Sequence, residues 1–162
     1  MTAEIANEKQ RVRRLLRLLY REDLRAAAYR AYRRRARHAH HRKLLITFGQ
    51  VEGRVIGLLE GHLAALGYGR PGRPGLLRRL MASLGTTLGT VTALGGERAM
   101  LRRLRSEETR GADRYAREVD WDGWTPEERD TLDGYRCDQL YQNQWAEDVE
   151  RDLRGKGTRA VP

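Results

Sequence analysis

The sequence predicts an all-α domain arranged as a four-helix bundle, and three observations predict it. Leucine, alanine and arginine abound, while there are only 4 prolines, 1 phenylalanine and few β-branched residues, a helix-forming composition. Apolar residues recur at alternating steps of three and four in four separate segments, the spacing of one helix face. Gly/Pro clusters and one capping box punctuate those segments. At 162 residues the chain is the size of one ordinary domain. Its expected layout is a flexible N-terminus at 1–11, a single bundle at 12–154 and a flexible tail at 155–162.

The first helix is expected from about Val12 into the basic stretch, with Leu15, Leu19, Glu22, Ala26 and Tyr29 on one stripe. The second runs from about Arg42 to Leu66 and stops at Gly67, where Gly-Tyr-Gly-Arg-Pro-Gly-Arg-Pro supplies helix breakers. Its stripe is Leu45, Phe48, Glu52, Val55, Leu59, His62 and Leu66. Residues 76–94 form a crossover segment, and a third bundle helix follows on the stripe Leu94, Glu97, Leu101, Leu104, Glu108, Gly111 and Tyr115. The last helix has the sharpest start, with Thr125 as N-cap, Pro126 at the first helical position and Glu128 closing a capping box. Its stripe is Leu132, Tyr135, Gln139, Gln142, Ala146, Val149 and Leu153.

Those stripes repeat one another. Glu22 precedes Tyr29 by seven residues, as Glu108 precedes Tyr115; Glu52 follows Glu22 by 30 positions, and Gln139 follows Glu108 by 31. Two antiparallel hairpins joined by the Gly/Pro-rich connection and the crossover helix would bring the four polar positions to a similar height. An ionised carboxylate in an apolar core costs several kcal/mol unless it is paired or ligates a metal. No Lys or Arg stands at the middle of any stripe, which leaves a divalent metal or bound protons to neutralise Glu22, Glu52 and Glu108.

A dinuclear iron or manganese site takes one Glu from each of two helices and a Glu-x-x-His pair from each of the other two. On those residues the chain resembles the ferritin-like superfamily: Glu22 and Glu108 match the single glutamates, Glu52-Gly-Arg-Val55 stands at the first Glu-x-x-His and Gln139-Leu-Tyr-Gln142 at the second. The glycine-rich segment at 88–100 looks most like that of the demethoxyubiquinone hydroxylase group, and rubrerythrin-like proteins are a near neighbour. The resemblance implies a metal-dependent oxidoreductase with Fe or Mn on Glu22, Glu52 and Glu108, acting on oxygen, peroxide or a quinone, in the hydroxylase group on a membrane surface. Against it, Val55 and Gln142 replace both histidines and Gln139 replaces the last glutamate. An oxygen-only pocket of that kind, with Asp138 as a fourth ligand, suits Mn, Mg or Ca better than a redox iron pair. Equally open is a metal-free layer in which Gln139 and Gln142 hydrogen-bond the glutamates and Tyr29, Tyr115 and Tyr135 are core residues. Whether the chain is an enzyme stays open on these terms.

A second class of function follows from charge. The net charge of +10 permits an anionic partner, a membrane surface or nucleic acid, although no specific nucleic-acid motif is present. Arg33, Arg34, Arg35, Arg37, Arg42 and Lys43 form the densest run, either a solvated helix end or an anion-binding patch. The alternative to a metal enzyme is thus a non-catalytic basic helical module that binds an anionic partner or self-assembles as a homo-oligomer. His38 and His41 could share a helix face, but the surrounding cations oppose a metal there. Glu60 and His62, two apart, point away from each other. Trp121, Trp124 and Trp145 are expected around the turn into the last helix.

The lone Cys137 excludes an internal disulfide, and the polar opening lacks a signal peptide's apolar core, so a cytoplasmic location, peripheral at most to a membrane, is expected. No run of about 18 apolar residues predicts a membrane span. Residues 80–96 come nearest, as a small-residue helix suited to close packing or shallow bilayer contact. Nucleotide loops and serine nucleophile elbows are absent.

Overall fold

A computed structural model describes residues 2–68 and 75–157, with side chains for 4–68 and 75–151. Among the described residues the chain is all-helical: α1 (Thr2–Arg35), α2 (Ala39–Ala65), α3 (Leu76–Leu94), α4 (Glu97–Val119) and α5 (Pro126–Gly157). The Gly/Pro connection at 69–74 and the end of the expected tail at 158–162 lie outside the described residues. The helices fall into two compact units, Met1–Val91 and Thr92–Pro162.

In the first unit α1 starts at Thr2, well before the expected Val12, because Ala3, Glu4, Ala6, Glu8, Lys9 and Gln10 are all strong helix formers. Val12, Leu15, Leu19, Ala26 and Tyr29 are buried along one face. On α2 the buried residues are Leu45, Phe48, Glu52, Val55, Leu59 and Leu63. The expected stripe drifts after Leu59: Leu63 takes the inner place, and His62 and Leu66 are only half-buried. A 3.6-residue turn cannot hold a seven-residue repeat in phase over a long straight helix. Gly67, at φ +74°, closes α2 in the left-handed conformation that glycine adopts freely. Arg25 meets Glu52 and Tyr29 meets Phe48, at a ring separation of 6.4 Å. Moving four residues up α1 moves four down α2, so the pair is an antiparallel hairpin.

Two contacts tie α3 to that hairpin. Its glycines, Gly85 and Gly89, are buried where α1 passes: a Cβ on Gly85 would overlap the Leu24 carbonyl oxygen, and one on Gly89 would lie 2.9 Å from Ala28 Cα. At its start, Arg78 donates from Nε and Nη2 to both carboxylate oxygens of Asp23 on α1, at 2.6 and 2.9 Å, and from Nη1 to Glu60 on α2. The planar guanidinium matches a carboxylate in two places at once, which fixes direction as well as distance.

In the second unit Gly95 and Gly96 separate α3 from α4, Gly96 at φ +83°. Leu94 therefore ends α3 at 69% exposure and, contrary to the expectation from its spacing, does not open the α4 stripe. Leu101, Leu104, Glu108, Gly111 and Tyr115 are buried on α4, and Leu132, Tyr135, Gln139, Gln142, Ala146 and Val149 on α5; the side chain of Leu153 lies outside the described residues. Tyr115 packs edge-on to Tyr135 at 5.8 Å, Thr109 faces Asn143 and Arg105 reaches Glu147 at 3.2 Å, again an antiparallel register. The capping box is formed: Glu128 N–H donates to Thr125 Oγ1 at 3.2 Å, and Thr125 N–H donates to Glu128 Oε2 at 2.9 Å. Thr125→Ala should lower stability by about 1 kcal/mol, read as a drop in urea midpoint at unchanged slope. Trp121 and Trp124 meet edge-to-face at 4.8 Å beside this turn, and Trp124 Nε1 donates to the Glu118 carbonyl at 2.8 Å. Trp145 is not with them, since 20 residues of helix from Thr125 set it about 30 Å along α5. No helix among the described residues is long and apolar enough to cross a membrane.

Candidate functional site

Glu22 and Glu52 are fully buried in the first unit, and the cation facing them is Arg25. Its Nη2 lies 3.1 Å from Glu22 Oε2 and donates a hydrogen bond to Glu52 Oε1. The three side chains are 4%, 0% and 1% exposed, so this is an ion-paired triad in the core. The expectation that no arginine stands at mid-stripe is thereby corrected. Arg25 comes one helical turn after Glu22 and one before Tyr29, and three alanines, Ala26, Ala27 and Ala28, leave the guanidinium room to lie inward. Sequence spacing alone held the signal, because an i, i+3 Glu–Arg pair next to an alanine run can bury both members.

One guanidinium serves two carboxylates, and the electrostatics follow. The Glu52 carboxyl is held well above the usual carboxylate range, chiefly because burial disfavours its charged form; Arg25 opposes that shift and the neighbouring Glu22 adds to it. A proton therefore binds the folded state more tightly than the unfolded one. This stabilisation is full below the pKa of about 4.3 of an unfolded-chain glutamate and is lost as pH rises through the elevated folded value. Urea midpoints should accordingly fall with rising pH across that window, and Glu52→Gln should flatten the dependence; an unchanged slope in the variant would count against Glu52 as its source.

In the second unit Glu108, Tyr115, Gln139 and Gln142 are all buried. The α4–α5 register puts Glu108 level with Gln142, and Gly111 level with Gln139. Gln142 has neither amide atom hydrogen-bonded among the described residues, and Tyr29 in the first unit likewise keeps its hydroxyl unbonded. Asp138 is half-buried while Gln139 next to it is buried, so the inner position belongs to the neutral amide.

These residues fit a di-metal centre poorly. In the first unit an arginine occupies the space between the two carboxylates where a cation would sit, and Val55 offers no donor. In the second, one carboxylate stands with two neutral amides. His38 and His41 do come together, with ring centroids 4.9 Å apart, amid exposed Arg35, Arg37 and Arg42.

The surface is the other candidate. Arg33, Arg34, Arg35, Arg37, Arg42 and Lys43 are all exposed around the α1–α2 turn. A second cationic feature, not singled out by its composition, runs along α1: Lys9, Arg13, Arg17 and Arg21 are exposed at four-residue steps. Each step is about 6 Å of helix rise. A groove of about 430 Å³ lies along it, lined by Ala6, Lys9, Gln10, Arg13, Arg14 and Arg17. Regular four-residue spacing of Lys and Arg is its signal in the sequence, less dense than the run at 33–43. No protein-family model, no curated protein and no solved structure matches this chain.

Proposed function

We propose that the chain is a non-catalytic basic helical module of ferritin-like architecture, a four-helix bundle of two hairpins whose carboxylate core is held by an arginine in place of metal, and that it binds a polyanionic partner through α1. The observation that carries this reading is Arg25 between Glu22 and Glu52: a tethered cation satisfies the charge for which a divalent ion is otherwise needed. Supporting the polyanion half is the row of Lys9, Arg13, Arg17 and Arg21, whose repeat suits a linear array of phosphates or carboxylates.

Two measurements test the two halves. Protein expressed with added iron and manganese should contain only traces of either by elemental analysis, and one or more equivalents per chain would overturn the metal-free core. Retention on heparin and on duplex oligonucleotide should fall steeply with salt, and Arg13→Gln with Arg17→Gln should shift elution to lower salt. Salt-independent retention, or none, would remove the polyanion.

A further inference from the structure

α3 has two faces of opposite character. Gly85 and Gly89 lie against α1 with no room for a Cβ, and Arg78 is clamped to Asp23 and Glu60, so the rotation of the helix about its axis is fixed. Turned outward are Leu77, Leu80, Leu84, Leu88 and Val91, at 44%, 52%, 43%, 47% and 62% exposure. No charged residue occurs from Leu80 to Leu94. Thr86 and Thr87 beside the stripe donate to the Ala82 and Ser83 carbonyls at 3.0 and 3.1 Å, so their hydroxyls are satisfied within the helix and do not require water. The stripe is also symmetric about Leu84: Leu80 and Leu88 lie four residues to either side, Leu77 and Val91 seven.

We propose that this face pairs with the same face of a second copy, the two α3 helices antiparallel across a two-fold axis at Leu84. That operation sets Leu84 against its own counterpart, Leu80 against Leu88 of the second copy and Leu77 against Val91 of the second copy, so one stripe serves both sides of an isologous contact. An antiparallel pairing also keeps the Arg78–Arg79 ends of the two helices apart, whereas a parallel one would crowd four guanidinium groups. Five adjoining apolar side chains about half exposed, flanked by exposed Leu76 and Leu94, form a strip of the same order as the ~800 Å² per partner that a stable interface buries. An anionic bilayer surface fits less well, because headgroups want cations along the stripe and exposed Arg79 stands only at its end. The proposal uses none of the α1 cations on which polyanion binding rests.

Sedimentation of the full chain at several concentrations should give twice its 18.7 kDa, more dimer at higher salt as repulsion between two +10 chains is screened. Leu84→Glu, checked for unchanged helical circular dichroism, should raise the dimer dissociation constant by at least about 30-fold, as for a residue at the centre of an interface. In a Cys137→Ser background, which removes the exposed native thiol, Leu84→Cys should cross-link with diamide, and Leu58→Cys on α2 should not. A wild-type chain that stays monomeric at its highest workable concentration would overturn the proposal. So would a monomer that floats with phosphatidylserine vesicles and loses flotation on Leu84→Glu, which assigns the face to lipid.

Discussion

Replacing Arg25 by methionine should cost about 3–5 kcal/mol of stability, because it leaves buried carboxylates without their guanidinium. Methionine has a similar length and fills the space, so the lost term is charge more than volume. Adding Glu52→Gln to Arg25→Met should recover a substantial part, since it removes one of the two facing charges. Glu52→Gln alone should change stability by no more than about 1 kcal/mol, because Glu22 and Arg25 still pair one to one. Arg25→Lys should fall between, as one ammonium cannot reproduce a forked donor that touches both carboxylates. Urea titrations of the four variants at neutral pH decide the matter: a double variant no better than Arg25→Met would show that packing, not charge, sets the loss.

Gly85→Ala and Gly89→Ala should each cost about 2 kcal/mol or more. The intrinsic preference of a helix for alanine works in the opposite direction by about 1 kcal/mol, so overlap must win for the sign to hold. It wins because the atoms in the way are the Leu24 carbonyl and the Ala28 Cα, which are backbone and cannot swing aside as a long side chain would. Gly57 on α2 is the internal control: a Cβ there meets nothing within 4 Å, and Gly57→Ala should stabilise by about 0.5–1 kcal/mol. Thermal midpoints of the three variants read both signs at once, and a rise for Gly85→Ala would mean that α3 does not press on α1.

The periodic elements were legible because burial enforces them. Leu15, Leu19, Glu22, Ala26 and Tyr29 were expected on one face and are buried there, and the Thr125–Glu128 box has the reciprocal bonds its spacing implies. Residues 80–96 read as a small-residue helix suited to close packing, which describes the glycine face of α3 but not the leucines turned the other way. Spacing gives the two faces of a helix without saying which is inward; the answer came from where Leu24 and Ala28 run. Arg25 escaped for a related reason: arginine is counted as a surface residue because its charge is costly to bury, and that cost disappears only when the carboxylates it meets are known. Leu94 falls on the spacing of the α4 stripe but belongs to α3, because the Gly95–Gly96 break, with Gly96 at positive φ, looks in sequence like ordinary small residues within a helix.

Arg25 has one more consequence, for supply. A core completed by a bound ion is stabilised in proportion to the logarithm of the free ion concentration, so it weakens under chelation or starvation. A cation attached through its own backbone has no dissociation equilibrium with the medium. This chain should therefore fold to the same stability in excess EDTA as in excess manganese, with the Glu22–Arg25–Glu52 triad complete as soon as translation has delivered Glu52.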